Sequence, residues 1–272
     1  MSEPEWFDNS KITAFRHCPR KYWYRYERNL VPKDHAEGGK AMLFGGAIHK
    51  GLELLYVSGS VDQACSAFRE CFPTELEEGP YSVLVGTSLL ETYAAKWFPE
   101  HFEVLAIEQS FQIPMGDFNF IGRMDLLAKA NDRIFPVDHK TTSRWGVIFD
   151  NSFRVDGQFS GYIRANQRLH GEAAANFAMV DALRVTVRVT DESFARKFTN
   201  RTPTELDRWE ADLLHSVEDI RRARTHRRWM KNAPVACFAY NRLCEYFRLC
   251  SHPGDPEELI DMDYMQLPWS PY

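Results

Sequence analysis

Ile121-Gly122-Arg123-Met124-Asp125-Leu126-Leu127 is followed, after a short polar turn, by Phe135-Pro136-Val137-Asp138-His139-Lys140-Thr141-Thr142. Both stretches are rich in residues that favour strands, so we predict two neighbouring strands of one sheet. Side chains alternate between the two faces of a strand, and Asp138 and Lys140, two positions apart, therefore share a face. Asp125 lies on the neighbouring strand, close enough to join them.

These three side chains suit the hydrolysis of a phosphodiester bond. Carboxylate and carbonyl oxygens bind a hard cation such as Mg²⁺, which polarises a phosphoryl group and acidifies a water molecule. A neighbouring lysine can orient that water and offset the charge that develops on the phosphate. The alternative is a surface strand pair with a salt bridge. The apolar flanks, Leu126-Leu127 and Phe135-Pro136-Val137, favour embedded charges, whose burial has an energetic cost.

The surrounding sequence predicts a mixed sheet flanked by helices. Residues 102–113, 118–129 and 133–139 form a three-stranded antiparallel meander, with turns at 114–117 and 130–132. Apolar spacing predicts helices over 10–30 (interrupted at Pro19), 41–56, 61–71, 83–98, 155–170 and 203–229, and a strand or strand pair over 176–190. Ser10 and Thr202 are the expected N-caps of the first and last helices. This order of elements indicates an α/β or α+β fold.

Composition excludes several classes of protein. The chain has 272 residues, 44% of them hydrophobic and 26% charged, which is ordinary for a globular protein of one large or two small domains. No segment resembles a membrane span, and the acidic N-terminus is not a signal peptide, so we expect a cytoplasmic protein. The sequence has no GxxxxGK[ST] motif, so we expect no ATP motor within it.

The net charge of −5 argues mildly against a general nucleic-acid coat, but basic strips can coexist with an acidic metal site. One strip interleaves cations with aromatic residues; its cations are Arg16, Arg20, Lys21, Arg25 and Arg28. The other comprises Arg221, Arg222, Arg224, Arg227, Arg228 and Lys231. Such cations contact phosphates, and such aromatics stack on unpaired bases. In the alternative interpretation the aromatics belong to the core and the arginines are merely solvated.

Gly122-Arg123-Met124-Asp125, followed by Val137-Asp138-His139-Lys140, resembles the GxxD…(D/E)xK core of the PD-(D/E)XK nucleases. Four further matches follow that family's order: Ser10 through Cys18-Pro19-Arg20-Lys21-Tyr22, Phe44-Gly45-Gly46-Ala47-Ile48-His49, Gln158-Phe159-Ser160-Gly161-Tyr162, and the cysteines Cys237, Cys244 and Cys250. The sequence is more narrowly similar to the RecB-type branch, which includes the CRISPR-associated iron–sulfur exonucleases and phage homologues. It departs from the commonest pattern in having aspartate rather than glutamate at Asp138.

The resemblance implies that Asp125 and Asp138 are metal ligands and that Lys140 positions the nucleophilic water. It also implies that His49 completes the metal shell; the alternative is a helix histidine packed against the sheet. Glu108, on the first strand, is a candidate accessory acid.

Gln158 and Tyr162, four apart on one face of a helix, would by the same resemblance contact DNA phosphate or hold Lys140. Without the resemblance they are an ordinary amphipathic pair.

The cysteines have three interpretations. Four thiolates suit a zinc ion or an iron–sulfur cluster, although the spacing differs from paired CxxC zinc knuckles; scattered core thiols are the third. The resemblance favours a structural [4Fe–4S] cluster held by Cys18, Cys237, Cys244 and Cys250. Cys65 and Cys71 are expected to be buried thiols.

The resemblance implies a restriction-endonuclease-like mixed sheet flanked by helices, with an iron–sulfur module formed by both termini. Residues 1–40 and 232–272 would form that module. Residues 41–231 would form the nuclease core, with a helical insertion near 57–100.

The expected function is a Mg²⁺- or Mn²⁺-dependent DNA exonuclease or end-processing enzyme that acts on single-stranded or frayed ends in repair or recombination. The alternatives are a non-catalytic DNA-end-binding subunit of a helicase or integrase complex, and cleavage of RNA.

Overall fold

A computed structural model describes residues 5–33, 39–239, 242–254 and 256–270. The chain forms two compact units. The terminal unit comprises Met1–Glu37, Pro114–Ile121 and Asp207–Tyr272, and the sheet unit comprises Gly38–Ile113 and Gly122–Leu206. No helix in the described part of the chain combines the length and apolarity needed to cross a membrane.

The described residues include ten α-helices and eight strands, together with a π-helix at Trp23–Glu27 and several short 3-10 helices. The helices are α1 (Asn9–His17), α2 (Pro19–Tyr22), α3 (Lys40–Ser58), α4 (Val61–Cys71), α5 (Val83–Trp97), α6 (Val147–Val155), α7 (Gly157–His170), α8 (Pro203–Thr225), α9 (Phe247–Ser251) and α10 (Glu257–Asp263). The strands are β1 (Trp6–Phe7), β2 (Leu30–Pro32), β3 (Glu103–Met115), β4 (Phe118–Ala130), β5 (Arg133–Thr142), β6 (Phe177–Arg184), β7 (Phe194–Asn200) and β8 (Tyr264–Gln266).

The sheet is mixed, as the sequence predicts. The strand order is β1-β4-β5-β6-β7, and β3 also pairs with β4. Strands β4 and β5 are antiparallel, β5 and β6 are parallel, and β6 and β7 are antiparallel. The parallel pair requires the chain to cross over between β5 and β6, and α6 and α7 form this crossover. The chain therefore has the predicted mixed α/β architecture.

Helices α3, α4 and α5 form the main core of the sheet unit. Phe44, Phe68 and Leu89 are fully buried there and pack in one cluster with Leu183 and Phe194 from the sheet. Helix α7 lies against β5 and β6. Helices thus bury the apolar side chains of the strands, which is the dominant favourable contribution to folding.

The terminal unit has a core of aromatic rings. Tyr22 stacks on Trp229 with a ring-centroid distance of 5.7 Å, and Tyr24 stacks on Tyr246 at 5.3 Å. Both Tyr22 and Tyr24 are buried, so the alternative in which these aromatics belong to the core is correct for them. Strand β2 pairs with β8, which joins early and late segments of the chain.

Several elements differ from the sequence prediction: the last long helix ends at Thr225, the first ends in a π-helix at Trp23–Glu27, and α6 was not predicted. Two further differences have identifiable reasons. The side chain of Asp8, not Ser10, accepts a hydrogen bond from the backbone N–H of Lys11 at 2.7 Å, so α1 begins earlier. The predicted strand over 176–190 ends at Arg184, and β7 was not predicted because polar residues occupy its middle. The predicted Thr202 cap is confirmed: its hydroxyl accepts from the backbone N–H of Glu205 at 3.2 Å.

Two helical glycines provide a matched test of this packing. A Cβ at Gly86 would lie 2.0 Å from the buried ring of Phe68, whereas one at Gly46 would meet nothing within 4 Å. We predict that Gly86→Ala lowers the free energy of unfolding by about 1–3 kcal/mol through overpacking. The control Gly46→Ala should raise it by about 0.5–1 kcal/mol through helix propensity. Urea unfolding followed by circular dichroism measures both; equal effects would contradict the packing.

Candidate active site

The paired strands β4 and β5 position the acidic residues. Leu126 on β4 is in register with Val137 on β5, which places Asp125 beside the Asp138–Lys140 segment. The Asp138 side chain is only 3% exposed, whereas that of Lys140 is 29% exposed. The sequence-predicted charges are therefore embedded in the fold, and the alternative of a solvated surface salt bridge is wrong for Asp138.

Helix α3 brings a histidine to the first of these carboxylates. A Cβ at Gly45 would lie 2.9 Å from the Thr141 hydroxyl on β5, so glycine permits close approach of this helix to the strand. One turn later, His49 Nδ1 lies 3.3 Å from Asp125 Oδ2. The spacing of glycine and histidine in the sequence thus places an imidazole at the acidic site.

Asp125 is surrounded by donors. Its Oδ2 accepts the backbone N–H of His139 at 2.7 Å and lies 3.3 Å from the His139 ring Nδ1, in addition to the His49 contact. Burial raises the pKa of this carboxyl, but the hydrogen bonds from His139 and His49 outweigh burial and hold the pKa well below its usual range. Asp125 is therefore a carboxylate at neutral pH, ready to accept a cation.

The buried Asp138 and the partly exposed Lys140 form a charge pair. Lys140 Nζ lies 2.7 Å from Asp138 Oδ2. Burial raises the pKa of the Asp138 carboxyl, and Lys140 opposes that rise. Burial lowers the pKa of Lys140, but the attraction of Asp138 outweighs it, so the net shift is upward and the ammonium stays charged. A charged lysine beside a carboxylate cannot serve as a general base, but it can orient polar groups.

Helix α7 fixes this pair from the side. Gln158 Oε1 accepts a hydrogen bond from Lys140 Nζ at 2.8 Å, and Gln158 Nε2 donates to Asp138 Oδ1 at 3.2 Å. The same amide donates to the Tyr162 hydroxyl at 2.8 Å, which donates to the backbone carbonyl of Arg123 at 2.6 Å. Of the two roles expected for Gln158, this geometry corresponds to holding Lys140.

A cavity of about 720 Å³ opens at Asp125. His49, Glu53, Glu108 and Arg123 also line it. Arg123 Nε lies 2.7 Å from Glu108 Oε2, and burial raises the pKa of the Glu108 carboxyl. Glu108 has a φ of 51°, which is unusual for a non-glycine residue within a strand and indicates local backbone strain.

Three residues of this region were missed by the sequence analysis. Glu53 follows His49 by four residues, so helical spacing could have placed it on the same face. Arg123 lies within the quoted GxxD motif but carries no signal of its own. His139 reaches Asp125 through Nδ1, and its Nε2 lies 4.0 Å from Asp181 Oδ2; only the strand register reveals these contacts.

The donor set is chemically suited to a divalent cation. Asp138 is buried and the Asp125 side chain is 14% exposed; the two lie on neighbouring strands, with Glu108 and His49 nearby. Among the described residues, no three His, Cys, Asp or Glu side chains are already gathered around one metal position. Magnesium usually keeps several waters and uses one or two protein carboxylates, so Asp125 and Asp138 fit this chemistry.

Four of the cysteines converge in the terminal unit. Cys18, Cys237, Cys244 and Cys250 line one cavity with Lys21 and Lys231. Cys65 is buried in the α4 core as predicted, but Cys71 is exposed, because it ends α4 on the side facing solvent. The expectation that Cys71 is a buried thiol is therefore wrong.

Known proteins support a family assignment. A sequence model described as the PD-(D/E)XK nuclease superfamily matches residues 9–251. The crystal structure of a putative exonuclease from Eubacterium rectale matches with a TM-score of 0.59 at 12% identity, over 95% of this chain and 92% of that one. At this identity the likeness shows the fold alone.

The structure of SSO0001 matches with a TM-score of 0.41 at 16% identity, covering 82% of this chain and 78% of that one. This TM-score is too low to support an inference. No curated protein matches the sequence. The superfamily match covers most of the chain and includes every residue of the acidic site, and the chain therefore belongs to the PD-(D/E)XK nuclease superfamily.

Proposed function

We propose that this chain is a deoxyribonuclease that shortens or processes single-stranded or frayed DNA ends, with Mg²⁺ or Mn²⁺ as its cofactor. Membership of the PD-(D/E)XK superfamily makes it a nuclease, and nucleases of this superfamily generally use such divalent metals. The observation that carries the proposal is the Asp138–Lys140 charge pair, held by Gln158 beside Asp125.

In this proposal Asp125 and Asp138 hold the cation. When bound, the cation would polarise the scissile phosphoryl group and acidify an attacking water. Asp125 suits this task because its pKa is held low, so no proton competes for the carboxylate. His49 and Glu108 lie close enough to contribute further donors from α3 and β3.

Lys140 orients the attacking water and offsets negative charge on the phosphoryl oxygens. Its ammonium is held by Asp138 and by the Gln158 carbonyl, so its position is fixed before substrate binds. Preorganised charge of this kind stabilises a transition state without further rearrangement. Tyr162 supports the arrangement indirectly by bonding both Gln158 and the β4 backbone.

The choice of single-stranded or frayed ends, and of the RecB-type branch, rests on the resemblance of the sequence motifs. A partner helicase or recombination protein would supply strand separation, because the sequence contains no ATP motor motif. A non-catalytic DNA-end-binding subunit is the competing function. The complete set of Asp125, Asp138 and Lys140 favours catalysis, since binding alone does not need it.

We also propose that Cys18, Cys237, Cys244 and Cys250 hold a structural [4Fe–4S] cluster. Four thiols line one cavity with Lys21 and Lys231, which would offset thiolate charge. In the described residues no three of these thiols are gathered around one metal position. Burial raises the pKa of the Cys244 and Cys250 thiols, and the neighbouring lysines oppose that rise. The present cavity is about 20 Å³, so the surrounding side chains must move to admit a cluster. The proposed module consists of residues 1–40 and 232–272, with the nuclease core between them.

Cleavage of end-labelled single-stranded DNA tests the nuclease. We predict that Mg²⁺ or Mn²⁺ supports degradation, that EDTA abolishes it, and that Asp138→Asn slows it at least about 10²-fold, because a ligand charge is lost. Asp132→Asn is the matched control: its side chain is 99% exposed at a turn, and asparagine tolerates its positive φ.

Unchanged thermal unfolding of Asp138→Asn would show that the loss is catalytic. Wild-type protein that leaves DNA intact yet shifts it on a gel would replace the nuclease with the end-binding subunit. Faster degradation of an RNA of the same sequence would replace the DNA substrate with RNA.

Visible absorbance of protein purified without oxygen tests the cluster. We predict a brown protein whose broad absorbance bleaches with dithionite and whose iron content falls sharply in Cys244→Ala. Cys71→Ala, which removes an exposed thiol outside the cavity, should keep the colour. Colourless protein with one zinc per chain would contradict the cluster and support the zinc alternative.

A further inference from the structure

The terminal unit contains a large groove that belongs neither to the acidic site nor to the cysteine cavity. It encloses about 1150 Å³, above the usual 300–1,000 Å³ range of small-molecule sites. Its walls come from α1, from α8 and from the segment that follows α8. The size and the three-sided construction suit a segment of a polymer better than a small metabolite.

Hydrogen bonds between its walls hold the groove in shape. Arg16 on α1 donates from Nε to the Ser216 hydroxyl on α8 at 2.8 Å. The returning segment is tied to the first two helices: the Met230 carbonyl accepts the backbone N–H of Arg20 at 3.0 Å, and Asn232 donates to the His17 carbonyl at 2.8 Å. These bonds fix the walls without a ligand, so little ordering is needed on binding.

The cations on and around the end of α8 have two kinds of surroundings. Arg221 bonds Glu5 and Asp117, and Arg224 bonds Glu5 and Glu27, so both are neutralised inside the terminal unit. These arginines hold the fold together. Two of the six cations of this basic strip are therefore structural and are not available to a ligand.

Four other cationic residues line the groove. Two of them already bond protein atoms: Arg16 donates to the Ser216 hydroxyl, and Lys231 donates to the Cys250 carbonyl. Arg222 and Arg228 are exposed. Arg16, Arg222, Arg228 and Lys231 contribute four cationic groups, and Asp219 is the one acidic residue among the lining residues. Arg222 pairs with Asp219 at 3.2 Å, but both side chains are more than half exposed, so the pair is weak. The net charge of the chain is −5, yet cations outnumber acidic residues along this groove. A groove lined mainly by cations attracts an anionic ligand.

Apolar groups lie between the cations. Pro19 and Met230 line the groove, and the Met230 side chain is 65% exposed. Single-stranded nucleic acid matches this alternation, because its phosphates meet the cations while its unpaired bases and sugars offer apolar surface. A duplex would present phosphates but keep its bases stacked away from Met230.

We propose that this groove of the terminal unit binds a single-stranded segment of nucleic acid. The occupant is inferred from the proposed function, and the contacts are inferred from the groove itself. Arg222 and Arg228 would contact phosphates, and Met230 would pack on a base or sugar.

Fluorescence anisotropy of a labelled 20-nucleotide DNA strand in EDTA tests the proposal without cleavage. We expect the double variant Arg222→Glu/Arg228→Glu to bind roughly tenfold or more weakly than wild type, with a shallower salt dependence, because two phosphate contacts are lost. The matched control is Arg208→Glu/Arg69→Glu, which makes the same charge change at exposed positions outside the groove. It should stay within about twofold of wild type.

Equal affinity of the groove variant and the control variant would overturn the proposal, as would loss of duplex affinity with single-strand affinity retained. Unchanged melting temperatures of both variants would exclude unfolding as the cause. The result is independent of catalysis: groove-dependent binding by a protein that never cuts DNA would keep the groove and refute the nuclease. Metal-dependent cleavage, combined with DNA binding that the groove substitutions leave unchanged, would support the nuclease and refute the groove.

Discussion

The structure of the sheet unit depends on accommodating two acidic side chains, Asp125 and Asp138, that are largely shielded from solvent. Moving a charge from water to a protein interior costs several kcal/mol even after relaxation. Asp125 is compensated by a backbone N–H and two imidazoles, and Asp138 by a lysine and an amide. The compensating groups come from three elements, β5, α3 and α7, so the fold must bring these elements together for the carboxylates to be tolerated.

This requirement explains several features that are otherwise unrelated. Gly45 allows α3 to approach β5, which delivers His49 to Asp125. The crossover between β5 and β6 contains α7, which delivers Gln158 to Asp138 and Lys140. An arrangement with so many converging polar groups has little value for stability alone, because buried ion pairs seldom exceed the stabilisation of apolar packing. Chemistry at the site is the better explanation for its presence.

Some contacts of this site can be predicted from the sequence, and others cannot. Strand alternation was enough to place Asp138 and Lys140 on one face, and the hairpin was enough to bring Asp125 beside them. Helical spacing paired Gln158 with Tyr162 but could not decide between DNA phosphate and Lys140, since the partner depends on how α7 packs. The role of His139 could not be predicted from the sequence, because its contact with Asp125 arises from the register between β4 and β5.

The same distinction holds for the fold. The meander and the long helices have strong periodic signals, whereas β7 alternates poorly and was missed. Asp8 rather than Ser10 caps α1, because either residue could satisfy the local rule and only the tertiary setting selects one. The arginines of α8 look alike in sequence, yet long-range partners such as Glu5 make Arg221 and Arg224 structural.

The position of the bound cation tests the catalytic site most directly. Crystals grown with Mn²⁺ and a short single-stranded DNA, measured at a wavelength where manganese scatters anomalously, would locate this cation. We predict an anomalous peak within about 2.0–2.6 Å of carboxylate oxygens of both Asp125 and Asp138, with Lys140 beside the scissile phosphate. A peak bound elsewhere, with the Asp138–Lys140 pair closed and no phosphate near it, would contradict the assignment of this site as the catalytic centre.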